Sequence, residues 1–150
     1  MWNRLRSLAA LPASERGLAL RATGILAFVR LALWLLPFAW VRALVDRLGG
    51  ASAVQAEEDF ARAVRRAVDR GARSIPGSAC LAQALTAELM LRRAGRPVRV
   101  SIGVAPDGHP LDAHAWAESA GIVVTGESDT LRNYRTLVVF GDDCRPDNQG

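Results

Sequence analysis

The sequence has 150 residues, half of them hydrophobic, which matches a single globular domain that can bury one core. This length excludes a second full catalytic domain. The formal net charge is +4 at pH 7, and every basic side chain is an arginine, which suits an acidic partner or an anionic membrane surface. Because Cys80 and Cys144 do not indicate a disulfide framework and no secretory signal is evident, we expect a cytoplasmic protein with a reduced thiol.

The segment 18–48 is dense in apolar residues and is predicted to be helical. Pro37 lacks an amide hydrogen, so we expect it to divide the segment into two packed helices. The longest stretch without a charge, 31–41, is shorter than the ~20 residues of a spanning helix. An extension to that length would place Arg30 near the bilayer centre, which disfavours a transmembrane span.

Two interpretations of this apolar segment are open. It forms a helical layer over the core, which we favour because helices that are apolar on all sides are usually buried. Alternatively, it presents an adhesive face to a membrane surface or to partner enzymes, with Trp34 and Trp40 as anchors.

Two more helices are predicted before the chain changes period. Residues 57–73 have an apolar residue at every fourth position from Phe60 and charged residues elsewhere, which is typical of an amphipathic helix. Ser78 is a suitable N-cap for a second helix that runs to about Ala94, with Leu81, Leu85 and Leu89 as its apolar stripe. Cys80 is therefore expected in the first turn of a buried helix.

The remaining chain has the two-residue period of strands. Apolar and polar residues alternate over 98–104 and again over 111–118, and short strands are predicted at 122–125 and 136–140. Helices followed by an antiparallel sheet make the fold class α+β.

Cys80 and His114 are the candidates for nucleophilic chemistry. The first turn of a helix favours a thiolate because its backbone amides carry partial positive charge. A catalytic cysteine also needs an imidazole that accepts its proton and delivers it to the leaving amine. His114 lies within a strand between small alanines, whereas His109 lies in a turn bounded by glycine and proline, so His114 is the better candidate base. Either residue alone could instead be an ordinary core residue.

A third group is needed to orient the imidazole, and several carboxylates remain open. Asp112 shares the face of His114 but lies on the same strand, whereas Glu127 and Asp129 follow the next strand and are preferred. Asp142 and Asp143, after the last strand, are further alternatives. Any one of these side chains could also be a solvated turn carboxylate.

Other chemistries have little support in the sequence. The cysteines and histidines lack the paired spacing of a tetrahedral zinc site, so no metal is expected. There is no phosphate-binding glycine loop, so no nucleotide or other cofactor is expected. Nucleic-acid binding is not expected, because the aromatic residues are concentrated in the apolar N-terminal half.

Three motifs together carry a family resemblance: Ala-Cys-Leu-Ala-Gln-Ala-Leu at 79–85, Gly-Arg-Pro at 95–97 before a valine-rich strand, and His-Ala-Trp-Ala-Glu at 114–118. Over roughly residues 74–137 the chain resembles the transglutaminase-like leader peptidases of lasso-peptide biosynthesis. The resemblance implies a papain-like core in which a helix-borne cysteine faces a strand-borne histidine. It also implies hydrolysis at the leader–core junction of a precursor peptide, with Cys80 as nucleophile and His114 as base.

The same resemblance implies partners and a third catalytic residue. Short members of the family lack a fused leader-recognition domain, so a separate leader-recognition protein and an ATP-dependent lasso cyclase are implied. Family members carry an acidic residue after the histidine near the position of Gly126 here, so Asp129 is preferred as third member, with Glu127 next. Trp116 and Glu118 are expected to support the site or the core.

The predicted organisation is therefore a single domain over residues 1–150. It comprises an apolar helical layer at 1–50, a transglutaminase-like catalytic core at 51–141 and a flexible tail at 142–150. Two alternative functions remain: a transglutaminase-like acyltransferase that uses the same Cys–His pair, and a non-catalytic scaffold of the maturation complex. The site residues alone do not distinguish the acyltransferase from the peptidase.

Overall fold

Four α-helices precede a four-stranded antiparallel sheet in the computed structural model, which describes residues 12–77, 79–105, 113–126 and 131–141. A short 3-10 turn at Leu131–Asn133 precedes the last strand. The arrangement confirms the predicted α+β fold class. The elements are α1 (Ala13–Leu35), α2 (Phe38–Gly49), α3 (Glu58–Ser74), α4 (Cys80–Arg93), β1 (Arg99–Val104), β2 (Ala113–Ser119), β3 (Ile122–Thr125) and β4 (Arg135–Gly141).

Pro37 separates the two N-terminal helices, as predicted. Helix α1 packs mainly against α3 and α4 through a buried face that includes Ala22, Leu26 and Val29. The opposite face of α1 is also apolar but lies in solvent. The side chain of Trp34 on α1 is 81% exposed, and that of Trp40 on α2 is 68% exposed. The favoured interpretation of a buried layer is therefore correct for one face of α1 only.

Helix α4 forms the centre of the molecule. It packs on the sheet and against the other three helices, and its predicted apolar residues Leu85 and Leu89 are buried. The helix begins one residue later than a Ser78 cap predicts, because Ala79 occupies the N-cap position and makes no side-chain capping bond. Cys80 is thus the first residue of a largely buried helix, as expected.

A buried ion-pair network joins α2 to the second half of α4. Glu88 is fully buried, and its two carboxylate oxygens accept hydrogen bonds of 2.6 Å from the Arg42 guanidinium. Arg42 also donates to Asp46 at 2.6 Å, and Arg92 donates to both acids. Burial opposes the charge of Arg42, but the hydrogen bonds to Glu88 and Asp46 outweigh it and raise the pKa of the guanidinium. All charges of the network are therefore paired.

The sheet has the strand order β3-β2-β1-β4, with antiparallel pairing throughout. Within β2, Ala115 and Ala117 belong to the buried core, whereas His114 and Trp116 point to the other face, which matches the predicted two-residue period. Gly103 pairs with His114 across the sheet. A Cβ atom at Gly103 would lie 3.0 Å from the Arg135 carbonyl oxygen and 3.1 Å from the Trp116 ring, so a glycine here lets the aromatic ring lie flat against β1.

Candidate active site

Cys80 presents a free, half-buried thiol at the start of α4. Its neighbours Ala79 and Ala82 are small, and the turn at Pro76 and Gly77 brings the chain into the helix from α3. The thiol is partly packed against the core but is not sealed inside it. It is therefore accessible from the cleft described below.

His114 is held on β2 by two aromatic rings. The imidazole stacks on Trp116, with ring centroids 6.3 Å apart and an interplanar angle of 19°, and it lies 5.4 Å from the ring of Tyr134. Its Nε2 atom is buried and has no hydrogen-bond partner among the residues that the structure describes. A Cβ atom at Gly126 would lie 3.1 Å from this nitrogen, so the glycine leaves space beside the ring.

Cys80 and His114 line the same cleft, which has a volume of about 560 Å³ and opens to solvent. Gln83, Val124 and Gly126 form the rest of the wall on the side of α4 and β3. Helix α3 forms the opposite wall with four residues at helical spacing, namely Arg65, Asp69, Ala72 and Arg73. The predicted nucleophile and base thus line one cleft, Cys80 from a helix end and His114 from a strand.

The cleft also contains polar residues that the sequence analysis did not single out. Gln83 lies one helical turn after Cys80, and this spacing could have identified it. Asp69 lies on the polar side of amphipathic helix α3, where the sequence pattern does not distinguish a cleft residue from a solvated one. Arg65 donates a hydrogen bond of 3.2 Å to the Val123 carbonyl, which fixes α3 beside β3. Asp69 brings a carboxylate into the cleft, but no hydrogen bond connects it to His114 Nε2.

The candidates for the third catalytic residue, Asp129, Glu127 and Asp112, lie outside the described residues. The same is true of His109, Cys144, Asp142 and Asp143. The parts of the chain that the structure describes contain no group of three or more Cys, His, Asp or Glu residues that could hold a metal ion.

A model of the transglutaminase-like superfamily matches residues 20–139 of the chain. The match begins within α1 and ends within β4, so it includes the cleft, the larger part of α1 and the whole of α2, α3 and α4. Among curated proteins and solved structures, none matches the chain at a significant level.

Proposed function

Because the chain belongs to the transglutaminase-like superfamily, whose members are typically cysteine peptidases or acyltransferases, we propose that it is a cysteine peptidase with Cys80 as nucleophile and His114 as base. One observation carries this proposal: the two side chains, 34 residues apart in sequence, line one open cleft. Residues with purely structural roles have no need to meet at the surface. A nucleophile and its base must do so.

The chemistry would proceed in two steps. His114 accepts the thiol proton as Cys80 Sγ attacks the carbonyl carbon of the scissile peptide bond, and the amine leaves with a proton from the imidazole. Water, deprotonated by His114, then hydrolyses the thioester and releases the carboxylic acid and the free thiol. The backbone amide of Cys80 at the start of α4 would help to stabilise the oxyanion in both steps.

The surroundings of His114 support a functional role for its ring. A buried polar atom without a partner costs about 1–3 kcal/mol, so core histidines normally have both ring nitrogens satisfied. His114 Nε2 lacks a partner among the described residues, while Trp116 and Tyr134 hold the ring in place. An imidazole that is oriented by stacking and retains a nitrogen for another group is suited to proton transfer. Asp129, with Glu127 or Asp112 as alternatives, would orient it.

For the substrate, we propose the precursor of a lasso peptide, cut between leader and core. The support is the resemblance of the motifs around Cys80, Gly95 and His114 to the leader peptidases of lasso-peptide biosynthesis. The enzyme would act in the cytoplasm with a separate leader-recognition protein, and a lasso cyclase would take the released core. Efficient cleavage of the precursor by this chain alone, without any partner, would contradict the proposed need for a recognition protein.

The test is cleavage of the precursor by the purified chain in the presence of the leader-recognition protein, followed by mass spectrometry. We expect the Cys80→Ala variant to be at least about 10³-fold slower than the wild type. Cys144→Ala is the matched control, since it removes the other cysteine of the chain, and it should retain activity. Cleavage by Cys80→Ala at the wild-type rate would refute the proposal and leave the scaffold alternative.

A second measurement separates hydrolysis from acyl transfer. The reaction is repeated with a primary amine in excess, and the new C-terminus of the leader is identified by its mass. A peptidase gives the free acid as the main product. An acyltransferase gives the amide, because the amine replaces water in the attack on the Cys80 thioester.

A further inference from the structure

The outer face of α1 and α2 exposes several large apolar side chains to solvent. Leu20, Phe28, Leu31, Trp34 and Leu35 on α1 all lie in solvent. With 3.6 residues per turn, these positions fall on one side of the helix, opposite the side that packs on α3 and α4. Exposed contiguous apolar patches of this kind mark surfaces that bind a partner or a membrane.

The apolar surface continues around the corner at Pro37 onto α2. Trp40 lies at its centre, and an open groove of about 410 Å³ follows the helix. Its lining is apolar except at one end, where it meets the guanidinium of Arg47. We call the exposed apolar surface of α1 and α2, from Leu20 to Leu44, the Trp34–Trp40 face.

The charged residues within the segment that forms this face are all arginines. From residue 16 to residue 45 the chain contains no aspartate or glutamate, although it has 15 of them in total. The same helical repeat places Arg21 and Arg30 on opposite borders of the apolar stripe of α1, and both are exposed. Beside Arg21 lies a groove of about 760 Å³ that includes Arg93, which adds another positive charge on that side.

The apolar stripe of α1 thus has Arg21 on one border and, on the other, Arg30, whose guanidinium donates a hydrogen bond to the Pro76 carbonyl. An apolar stripe with basic borders is typical of a helix that lies flat in the headgroup region of an anionic bilayer. Tryptophan prefers this region because its ring is apolar and its indole N–H is polar. Arginine can bury its methylene groups and keep its guanidinium near the lipid phosphates. A protein partner would also bury the apolar surface, but it would need a complementary surface without arginine or lysine opposite Arg21 and Arg30.

We propose that the Trp34–Trp40 face binds the surface of an anionic phospholipid bilayer, with α1 parallel to the membrane plane. Helix α1 contains an 18-residue window with a mean hydropathy of 1.7 and is long and apolar enough to span a membrane by length and composition alone. However, Ala19, Ala22, Leu26, Val29 and Ala32 are packed in the core of the domain, so spanning would require the domain to open. Peripheral binding leaves the fold intact.

The test is sedimentation of the purified full chain with vesicles, one set of phosphatidylcholine alone and one containing phosphatidylglycerol. We expect at least about tenfold tighter binding to the phosphatidylglycerol vesicles at low salt, and weaker binding as salt rises. The double variant Trp34→Ser/Trp40→Ser should lose at least about tenfold in affinity for them. The matched control is Leu137→Ser/Val139→Ser, which removes two exposed apolar side chains from β4 and should bind as the wild type does.

The electrostatic part has its own pair of variants. Arg21→Gln should weaken binding several-fold, whereas Arg62→Gln, which removes an equal charge from α3, should not. Circular dichroism verifies that each variant is folded. Wild-type protein that fails to bind phosphatidylglycerol vesicles, or whose binding is unchanged by the double tryptophan variant, would overturn the proposal. Concentration-dependent dimerisation through Trp34 and Trp40 without vesicle binding would assign the face to a second copy of the chain.

Discussion

Glu88 on α4 and His114 on β2 both have buried polar atoms, but the hydrogen bonding of these atoms differs. Both carboxylate oxygens of Glu88 accept hydrogen bonds from Arg42 at 2.6 Å, and Arg92 adds another at 3.2 Å. The buried Nε2 of His114 has no partner among the described residues. The Glu88 carboxylate is thus fully hydrogen-bonded within the described chain. His114 lines an open cleft and has one ring nitrogen that can still form a hydrogen bond.

Under the proposed function, the difference separates a residue that stabilises the fold from one that takes part in catalysis. A buried charge is tolerated only with complete pairing, so Glu88 and Arg42 fasten α2 to the central helix. An incompletely bonded imidazole contributes little to stability but remains available for proton transfer. Removing the Glu88 carboxylate should therefore lower the free energy of unfolding and leave the activity unchanged. Removing the His114 ring should lower the activity and change the stability little.

The largest expected effect is on catalysis. His114→Ala should lower kcat for precursor cleavage by about 10³-fold or more, because the imidazole that accepts the thiol proton in the proposed reaction is lost. The temperature of unfolding should change little, since the ring gives up no hydrogen bond through Nε2. His109→Ala is the matched control and should retain activity. A His114→Ala enzyme with near wild-type kcat would remove the basis for the comparison.

The next effect is on stability. Glu88→Gln keeps the size of the side chain but leaves Arg42 without its buried counter-charge, and should lower the free energy of unfolding by about 3 kcal/mol. Urea denaturation measures this change. Precursor cleavage, measured where the variant remains folded, should be close to that of the wild type, because Glu88 does not line the cleft.

Glu58→Gln provides the control for Glu88→Gln. Glu58 pairs with Arg62 on the exposed surface of α3, where solvent screens the two charges, so Glu58→Gln should cost much less stability than Glu88→Gln. If both glutamine variants lose similar stability, burial of the network is not the source of its strength.

A substitution at Gly126 is expected to change both the stability of the fold and the rate of catalysis. Its φ of +95° strains any other residue, and a Cβ atom would lie 2.9 Å from the Trp116 Cβ and 3.1 Å from His114 Nε2. Gly126→Ala should therefore lower the free energy of unfolding by about 2–3 kcal/mol and kcat by about tenfold, as the imidazole shifts. Gly121 also has a positive φ, of +74°, but nothing lies within 4 Å of its Cβ position. Gly121→Ala should cost only the backbone strain, about 1–2 kcal/mol, with unchanged kcat.

The elements of the fold could be predicted largely from local sequence. The short strand predicted at 122–125 has the observed ends of β3, and Pro37 marked the break between α1 and α2. The placement of Cys80 at a helix start and of His114 within a strand could be predicted, because each leaves a clear local pattern. Such patterns depend only on the residues that lie within one or two turns of a position along the chain.

The features that were missed depend on distant partners. Glu88 lies in an apolar helix, and its burial is intelligible only with Arg42, which lies 46 residues earlier. Asp69 faces the cleft because α3 packs beside β3, which no spacing within α3 reveals. Trp34 is exposed because α3 and α4 cover only one face of α1, so the open alternative of an exposed face with Trp34 and Trp40, and not the favoured buried layer, describes this side of the helices.

The smallest effect concerns Asp46 at the exposed edge of the ion-pair network. The hydrogen bond from Arg42, followed by that from Arg92, lowers the pKa of this carboxyl against the opposing effect of burial. A carboxyl whose pKa is lower in the folded state stabilises the fold above its unfolded pKa of about 3.9, and loses that contribution as pH falls through the folded value. Because 53% of the side chain is exposed, solvent screens the pair, and we expect roughly 0.2–1 kcal/mol at pH 7.

The variant Asp46→Asn tests this dependence on pH. Its free energy of unfolding should lie below that of the wild type at pH 7. The two values should begin to converge as pH falls below about 4, where the carboxyl of the unfolded chain becomes protonated, and should meet once the folded-state carboxyl is protonated as well. Thermal or urea denaturation at several pH values from 7 to 3 measures the difference. If the difference stays constant over this range, the charge of Asp46 contributes nothing, and Glu88 alone balances Arg42 in the buried network.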